Sequence, residues 1–135
     1  MIRVLIVDDH PVVRDGLRAV IDAEPDMTVV GEAGHGAEAL ARLPGAAADV
    51  VLMDLRMPTM GGVDAIRELR RTHPGVRVLV LTTFDTDSDV LPAIEAGATG
   101  YLLKDTPREE LLRAIRAAHR GEAVLSPAVA GRLMG

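Results

Sequence analysis

Short aliphatic runs alternate with segments whose apolar residues recur at helical spacing, and this alternation restricts the fold more than any other feature of the chain. Runs rich in β-branched residues lie at Arg3–Val7, Thr28–Glu32, Val50–Met53, Val76–Leu81 and Gly100–Leu103. Between them Val13, Leu17, Val20 and Ile21 form one helical stripe. Val63, Ile66 and Leu69 form a second, and Leu111, Leu112, Ile115 and Ala118 a third. Strands that alternate with helices imply parallel βαβ units. Val50–Met53 and Val76–Leu81 are apolar at every other residue and at those between, as strands covered on both faces must be. The pattern predicts an α/β protein: a doubly wound parallel sheet of five strands flanked by five helices. Thr106, Pro107 and Glu109 read as N-cap, first-turn proline and capping-box acid of the last long helix. Gly121 is placed to end it.

The 135 residues fit one domain with an aliphatic core, since the chain has one Phe, one Tyr and no Trp. It has no cysteine, which excludes disulfides and thiolate metal sites and fits a cytoplasmic protein. No apolar run approaches the roughly 20 residues that span a bilayer. The first run ends in Asp8 and Asp9, too short and too acidic for a signal peptide. A formal charge of −5 argues against this chain gripping nucleic acid by itself.

In an open parallel sheet, ligands bind beyond the carboxyl ends of the strands. The polar residues there are Asp8 and Asp9 after the first strand, Asp54 after the third, Thr82 and Thr83 after the fourth, and Lys104 after the fifth. Three carboxylates and one ammonium carry a net −2 when ionised. Two like charges 4 Å apart repel by about 4 kcal/mol at an effective dielectric near 20. Such a cluster raises its own pKa values or binds a cation. Oxygen ligands favour a hard divalent ion, with Mg²⁺ the natural choice. A carboxylate beside Mg²⁺, a hydroxyl and a lysine can host an aspartyl-phosphate.

Four separated motifs, VLIVDDHPVVRDGL at 4–17, DVVLMDLRMPTMGGVDAI at 49–66, VLVLTTF at 78–84 and EAGATGYLLKD at 95–105, resemble the receiver domains of two-component response regulators, in particular the NarL/FixJ (LuxR-type) class. The resemblance implies a flavodoxin-like strand order of 2-1-3-4-5 and Asp54 as phosphoacceptor. It implies that Asp9 and Asp54 ligate Mg²⁺ directly, Asp8 through water, and Arg56 through its backbone carbonyl. Thr82 would bond a phosphoryl oxygen after activation and Lys104 would pair with another. Tyr101 stands at the aromatic switch position that follows Thr82. The phosphoryl donor would be a sensor histidine kinase. The domain would itself catalyse the gain and loss of its phosphoryl group and turn over no external substrate.

Simpler readings of the same residues remain open at this stage. Asp8 and Asp9 could cap the first helix, because Pro11 suits a first turn. Tyr101 fits a packing role as well as a switch, and Thr82 competes with Thr83. His10 reads as a first-turn residue. A phosphatase of the haloacid dehalogenase type needs an acid two residues after its nucleophile, where this chain has Arg56. A receiver that had lost its chemistry and acted by protein contact alone would lack one of the acids, the Thr or the Lys. The stretch GEAVLSPAVAGRLMG resembles the linker that precedes a helix-turn-helix in NarL/FixJ relatives. The expected organisation is a receiver domain over 1–121 and the start of a linker over 122–135. DNA would be met only through a C-terminal domain absent from this chain, and homodimerisation on phosphorylation is allowed. A stand-alone receiver is the alternative. Two further expectations concern loops. Pro92 predicts a fourth helix that starts near Ser88 or Asp89, after a loop at 85–87, because proline suits only a first turn. Arg56 and Phe84 are poor groups for orienting water, which predicts slow loss of the phosphoryl group.

Overall fold

The computed structural model describes residues 1–55, 57, 60–82 and 87–125, with the backbone alone at 87–90 and 125. Its elements run β1 Ile2–Val7, α1 Pro11–Asp22, β2 Met27–Ala33, α2 Gly36–Ala46, β3 Val50–Met53, α3 Gly62–Thr72, β4 Arg77–Thr82, α4 Asp87–Ala96, β5 Gly100–Leu103, α5 Arg108–His119 and β6 Val124–Leu125. The strands form one parallel sheet in the order β2-β1-β3-β4-β5-β6. This is the expected 2-1-3-4-5 arrangement, extended at one edge by a two-residue strand.

Alternation along the strands divides the core. Leu5, Val7, Val51, Met53, Val78, Val80 and Tyr101 point to one face and pack with Ala39, Leu43, Ala65, Ile66, Leu69, Ala93 and Ala96 of α2, α3 and α4. Val4, Ile6, Val50, Leu52, Leu79, Leu81 and Leu102 point to the other and meet Ile21 of α1 and Leu111, Leu112 and Ile115 of α5. Side chains of successive strand residues leave on opposite sides, so two helical layers need strands that are apolar throughout. Each of the three helical stripes faces the sheet, although Val13, Leu17, Val20 and Val63 stay partly open to solvent.

Several boundaries differ from the sequence reading. β2 is longer by one residue at each end, and β4 is displaced by one, so that Thr82 is its last residue. Thr106 does not cap α5. Its hydroxyl donates to the Leu103 carbonyl, as does its N–H at 3.0 Å, so the side chain closes the turn after β5 and Pro107 takes the N-cap position. Glu109 and Glu110 still lie in the first turn, where a carboxylate suits the positive end of the helix dipole. Gly121 does end the helix: its φ is +82°, its N–H bonds the Ala118 carbonyl, and the Glu122 N–H returns to Ala117.

α4 begins at Asp87, a residue or two earlier than expected, and Pro92 stands in its second turn. The first-turn restriction on proline was therefore too strict here. The helix accepts one missing N–H because its far end is held. Ala93 and Ala96 are buried, and Gly97, at φ +110°, closes the helix with Gly97 N–H to Ile94 and Ala98 N–H to Ala93. Residues 85 and 86 lie outside the described residues. Among the described residues, no helix is long and apolar enough to cross a membrane.

Candidate phosphoryl-acceptor site

Three parallel strands deliver the acids and the lysine to one spot. β1 runs into Asp8, whose N–H bonds the Ala33 carbonyl of β2 at 3.0 Å. β3 runs into Asp54, whose N–H bonds the Val7 carbonyl of β1 at 2.9 Å. Beyond β5, the Lys104 N–H bonds the carbonyl of Thr82 at the end of β4. The backbone of each site residue is thus tied to a neighbouring strand, and its side chain starts from a fixed base.

The start of α3 lies close against Asp54 and Leu55. A Cβ on Gly62 would lie 2.5 Å from the Asp54 carbonyl oxygen and 2.7 Å from Leu55 Cα, so only glycine lets α3 start this close to the acid. The Gly62 N–H bonds the Leu55 carbonyl at 3.0 Å. Gly62 therefore lets the start of α3 press against the end of β3.

Asp8, Asp54 and Thr82 are the buried polar or charged residues of the described core. Lys104 Nζ lies 2.6 Å from Asp8 Oδ2 and 3.3 Å from Asp54 Oδ2, with its side chain 13% exposed. Burial is the largest single influence on this ammonium and favours the neutral amine. The hydrogen bond to Asp8 and the charges of Asp54 and Asp8 together outweigh it, and the Lys104 pKa rises above its ordinary value.

One ligand atom from each of Asp8, Asp9, His10 and Asp54 lies within 4.8 Å of the others. The set meets the test for a hard divalent cation. It offers three carboxylates in a largely buried setting, and Asp9 Oδ1 is buried without a hydrogen bond among the described residues. His10 Nδ1 approaches that oxygen at 2.9 Å, close in distance but poor in angle.

Asp8, Asp9, Asp54 and Lys104 thus come together as expected, and Thr82, buried at the end of β4, adjoins them through its carbonyl, which accepts from the Lys104 N–H. Arg56, Thr83 and Phe84 lie outside the described residues. Tyr101 is fully buried on the sheet face covered by α2–α4. His10, read from sequence as a first-turn residue, is the N-cap of α1, with Pro11 at N1. Its backbone N–H and Nδ1 both reach Asp8 Oδ1, at 2.8 and 3.3 Å. The sequence signal was adjacency alone: a residue that follows two acids at a strand end cannot be far from them. Arg14, which sequence reasoning passed over, donates from Nη1 to the Asp8 carbonyl at 2.5 Å.

The response regulator receiver domain family matches residues 4–116. This chain is a response-regulator receiver domain. The domain is 48% identical over 133 residues to the transcriptional regulatory protein YxjL of Bacillus subtilis, covering 98% of this chain and 61% of that protein. It is 46% identical over 127 residues to the nitrate/nitrite response regulator protein NarP of Escherichia coli, covering 94% of this chain and 59% of that one. A solved LuxR-family two-component response regulator from an Aurantimonas species superposes with a TM-score of 0.92 at 38% identity, covering 98% of this chain and 94% of the other. The receiver domain therefore sits within the NarL/LuxR group, and it spans about three fifths of the curated relatives it matches.

Proposed function

We propose that this receiver domain takes a phosphoryl group onto Asp54 from a phosphohistidine of a sensor histidine kinase and so switches an output. The observation that carries the reading is Lys104 Nζ set between the buried carboxylates of Asp8 and Asp54, with Asp9 beside them. An Asp54 carboxylate oxygen would form the new bond to phosphorus as the donor's P–N bond breaks. The imidazole would leave with the bonding pair and take up a proton. Asp9, Asp54 and the Arg56 carbonyl would hold Mg²⁺ directly and Asp8 through water. When bound, that ion neutralises charge on the phosphoryl oxygens. Lys104 would then turn from the carboxylates to one phosphoryl oxygen, and the Thr82 hydroxyl would bond another. Because Tyr101 shares a core with Ala93 and Ala96, a change in its rotamer would be felt by α4.

We infer a transcriptional output through a C-terminal DNA-binding domain in a longer, cytoplasmic protein, with 1–121 as the receiver and 122–135 as the start of the linker. Homodimerisation on phosphorylation fits this reading. It draws support from relatives that are named transcriptional regulators and that extend well beyond the matched region.

The test is incubation with a small phosphodonor and Mg²⁺, followed by intact-mass measurement. Wild type should gain one phosphoryl group and Asp54→Ala none. A gain that survives in Asp54→Ala would overturn the assignment.

A further inference from the structure

We infer that Arg14 is a positioning residue for the acidic site: it fixes the peptide plane that joins Asp8 to Asp9, and through that plane the metal-binding carboxylates. The inference rests on the function proposed above.

The carbonyl that Arg14 Nη1 grips, at 2.5 Å, belongs to the Asp8–Asp9 peptide unit. That unit is planar, so holding its oxygen at one end fixes the tilt of the whole plane. At the other side of Asp8, the N–H is held by the Ala33 carbonyl at 3.0 Å. With both of its backbone polar groups tied, Asp8 directs Oδ2 to Lys104 and Oδ1 to the His10 N–H, at 2.6 and 2.8 Å. Asp9 starts from the same plane, and its Oδ1 has no hydrogen bond among the described residues, only the approach of the exposed His10 Nδ1 at 2.9 Å. Its direction therefore depends on the plane more than that of Asp8 does.

Arg14 is itself anchored. Its Nε donates to Glu32 Oε1 of β2 at 3.1 Å, while Arg18 Nε holds the other Glu32 oxygen at 2.8 Å. The Arg14 side chain is 20% exposed, so the guanidinium is neither loose on the surface nor unpaired in the core. The planar fork uses one nitrogen on Glu32 and another on the carbonyl, which a lysine with its single nitrogen cannot reproduce in the same geometry. Partners of this kind, which touch the ligands and not the ion, commonly change metal affinity by about 10–100-fold.

A second role for Arg14 is physically open and has the opposite sign. A guanidinium near a cation site repels the cation, so its removal by charge alone would tighten Mg²⁺ binding. Glu32, shared with Arg18, offsets part of that charge at 3.1 Å, and we take positioning as the larger effect.

The experiment is Mg²⁺ titration of the protein without phosphodonor, followed by the amide shifts of Asp9 and Leu55, for wild type, Arg14→Ala, Arg14→Lys and Glu32→Gln. Arg14→Ala should weaken Mg²⁺ binding roughly tenfold, with Arg14→Lys between it and wild type. Glu32→Gln keeps an acceptor for Arg14 but leaves its charge unopposed, and should weaken Mg²⁺ binding less than Arg14→Ala does. In phosphorylation assays, Arg14→Ala should raise the half-saturating Mg²⁺ concentration and restore most of the rate at saturation. Unchanged or tighter Mg²⁺ binding in Arg14→Ala overturns the inference. If Arg14→Ala does not fold, the Lys variant decides: wild-type affinity in Arg14→Lys overturns it. Failure of the wild type to bind Mg²⁺ at these acids would instead sink the proposed function.

Discussion

Lys104 shows how one side chain can serve two states of a site. In the structure its ammonium is paired with both Asp8 and Asp54, two buried acids at neighbouring strand ends. The same ammonium would repel a divalent ion held by those acids. Lys104→Ala should therefore leave Mg²⁺ affinity equal or slightly higher, while the shape change that follows phosphorylation is lost. Mg²⁺ titration and the amide spectrum before and after phosphorylation measure the two effects separately. A large loss of Mg²⁺ affinity would mean that Lys104 organises the acids and does not wait for the phosphoryl group. Burial alone would push the Lys104 pKa down, and it is the neighbouring acids that raise it. Lys104→Met, of similar length and without charge, separates packing from charge in the same assay.

At the scale of elements, the edge of the sheet carries information that the alternating pattern could not. β6 pairs with β5 through Gly100 and Tyr101, and the Val124 N–H bonds the Thr99 carbonyl at 3.1 Å. Two residues are too few for a sequence period, so this strand was not expected. Gly100 makes the pairing possible. A Cβ there would meet Leu79 Cδ1 at 2.7 Å, the Val124 carbonyl oxygen at 2.7 Å and Val124 Cβ at 2.9 Å. Gly100→Ala should release β6 first, because a two-residue edge strand gives way more easily than the buried β4. Hydrogen exchange at Val124 should speed up by an order of magnitude or more, while the amides of β4 stay protected. Equal loss of protection in β4 would show that Leu79 yields instead.

At the scale of the molecule, Arg116 of α5 ties the last helix to the turn between α1 and β2. It bonds both oxygens of Asp26, at 2.8 and 3.0 Å, and Glu24 at 2.8 Å, across some ninety residues of chain. The hydrogen bond from Arg116 is the main reason that the Asp26 carboxyl titrates below its ordinary value of 3.8. The sign follows from proton linkage. The unfolded chain protonates Asp26 first as pH falls, so the tie stabilises fully above the unfolded pKa. Its contribution fades below about pH 4 and is gone once the lowered folded pKa is passed. The difference in Tm between wild type and Arg116→Gln should thus be constant from neutral pH to about 5 and shrink as pH drops toward 3. A difference that stays constant down to pH 3 would mean that Arg116 acts by packing and not through Asp26. Added salt should reduce the difference too, since the pair is only partly buried.

What the sequence determined by itself was periodicity and order. A run such as Val50–Met53, apolar at every position, can be satisfied only between two helical layers, and helical stripes between such runs oblige the strands to be parallel. From that alone the strand ends, and with them Asp8, Asp9, Asp54, Thr82 and Lys104, had to converge, because every parallel strand points its carboxyl end the same way. Caps and edges escaped this logic. Thr106 has the identity of an N-cap, yet its hydroxyl is taken by Leu103. Pro92 reads as a first-turn residue, yet α4 begins five residues before it, because its buried alanines and its closing turn at Gly97 hold the helix. His10 and Arg14 gave no motif of their own, and only the folded chain sets one beside the two acids and the other on the carbonyl between them. Periodic burial is a property of neighbours in the chain, whereas a hydrogen bond between α1, β1 and β2 exists only after the strands have met.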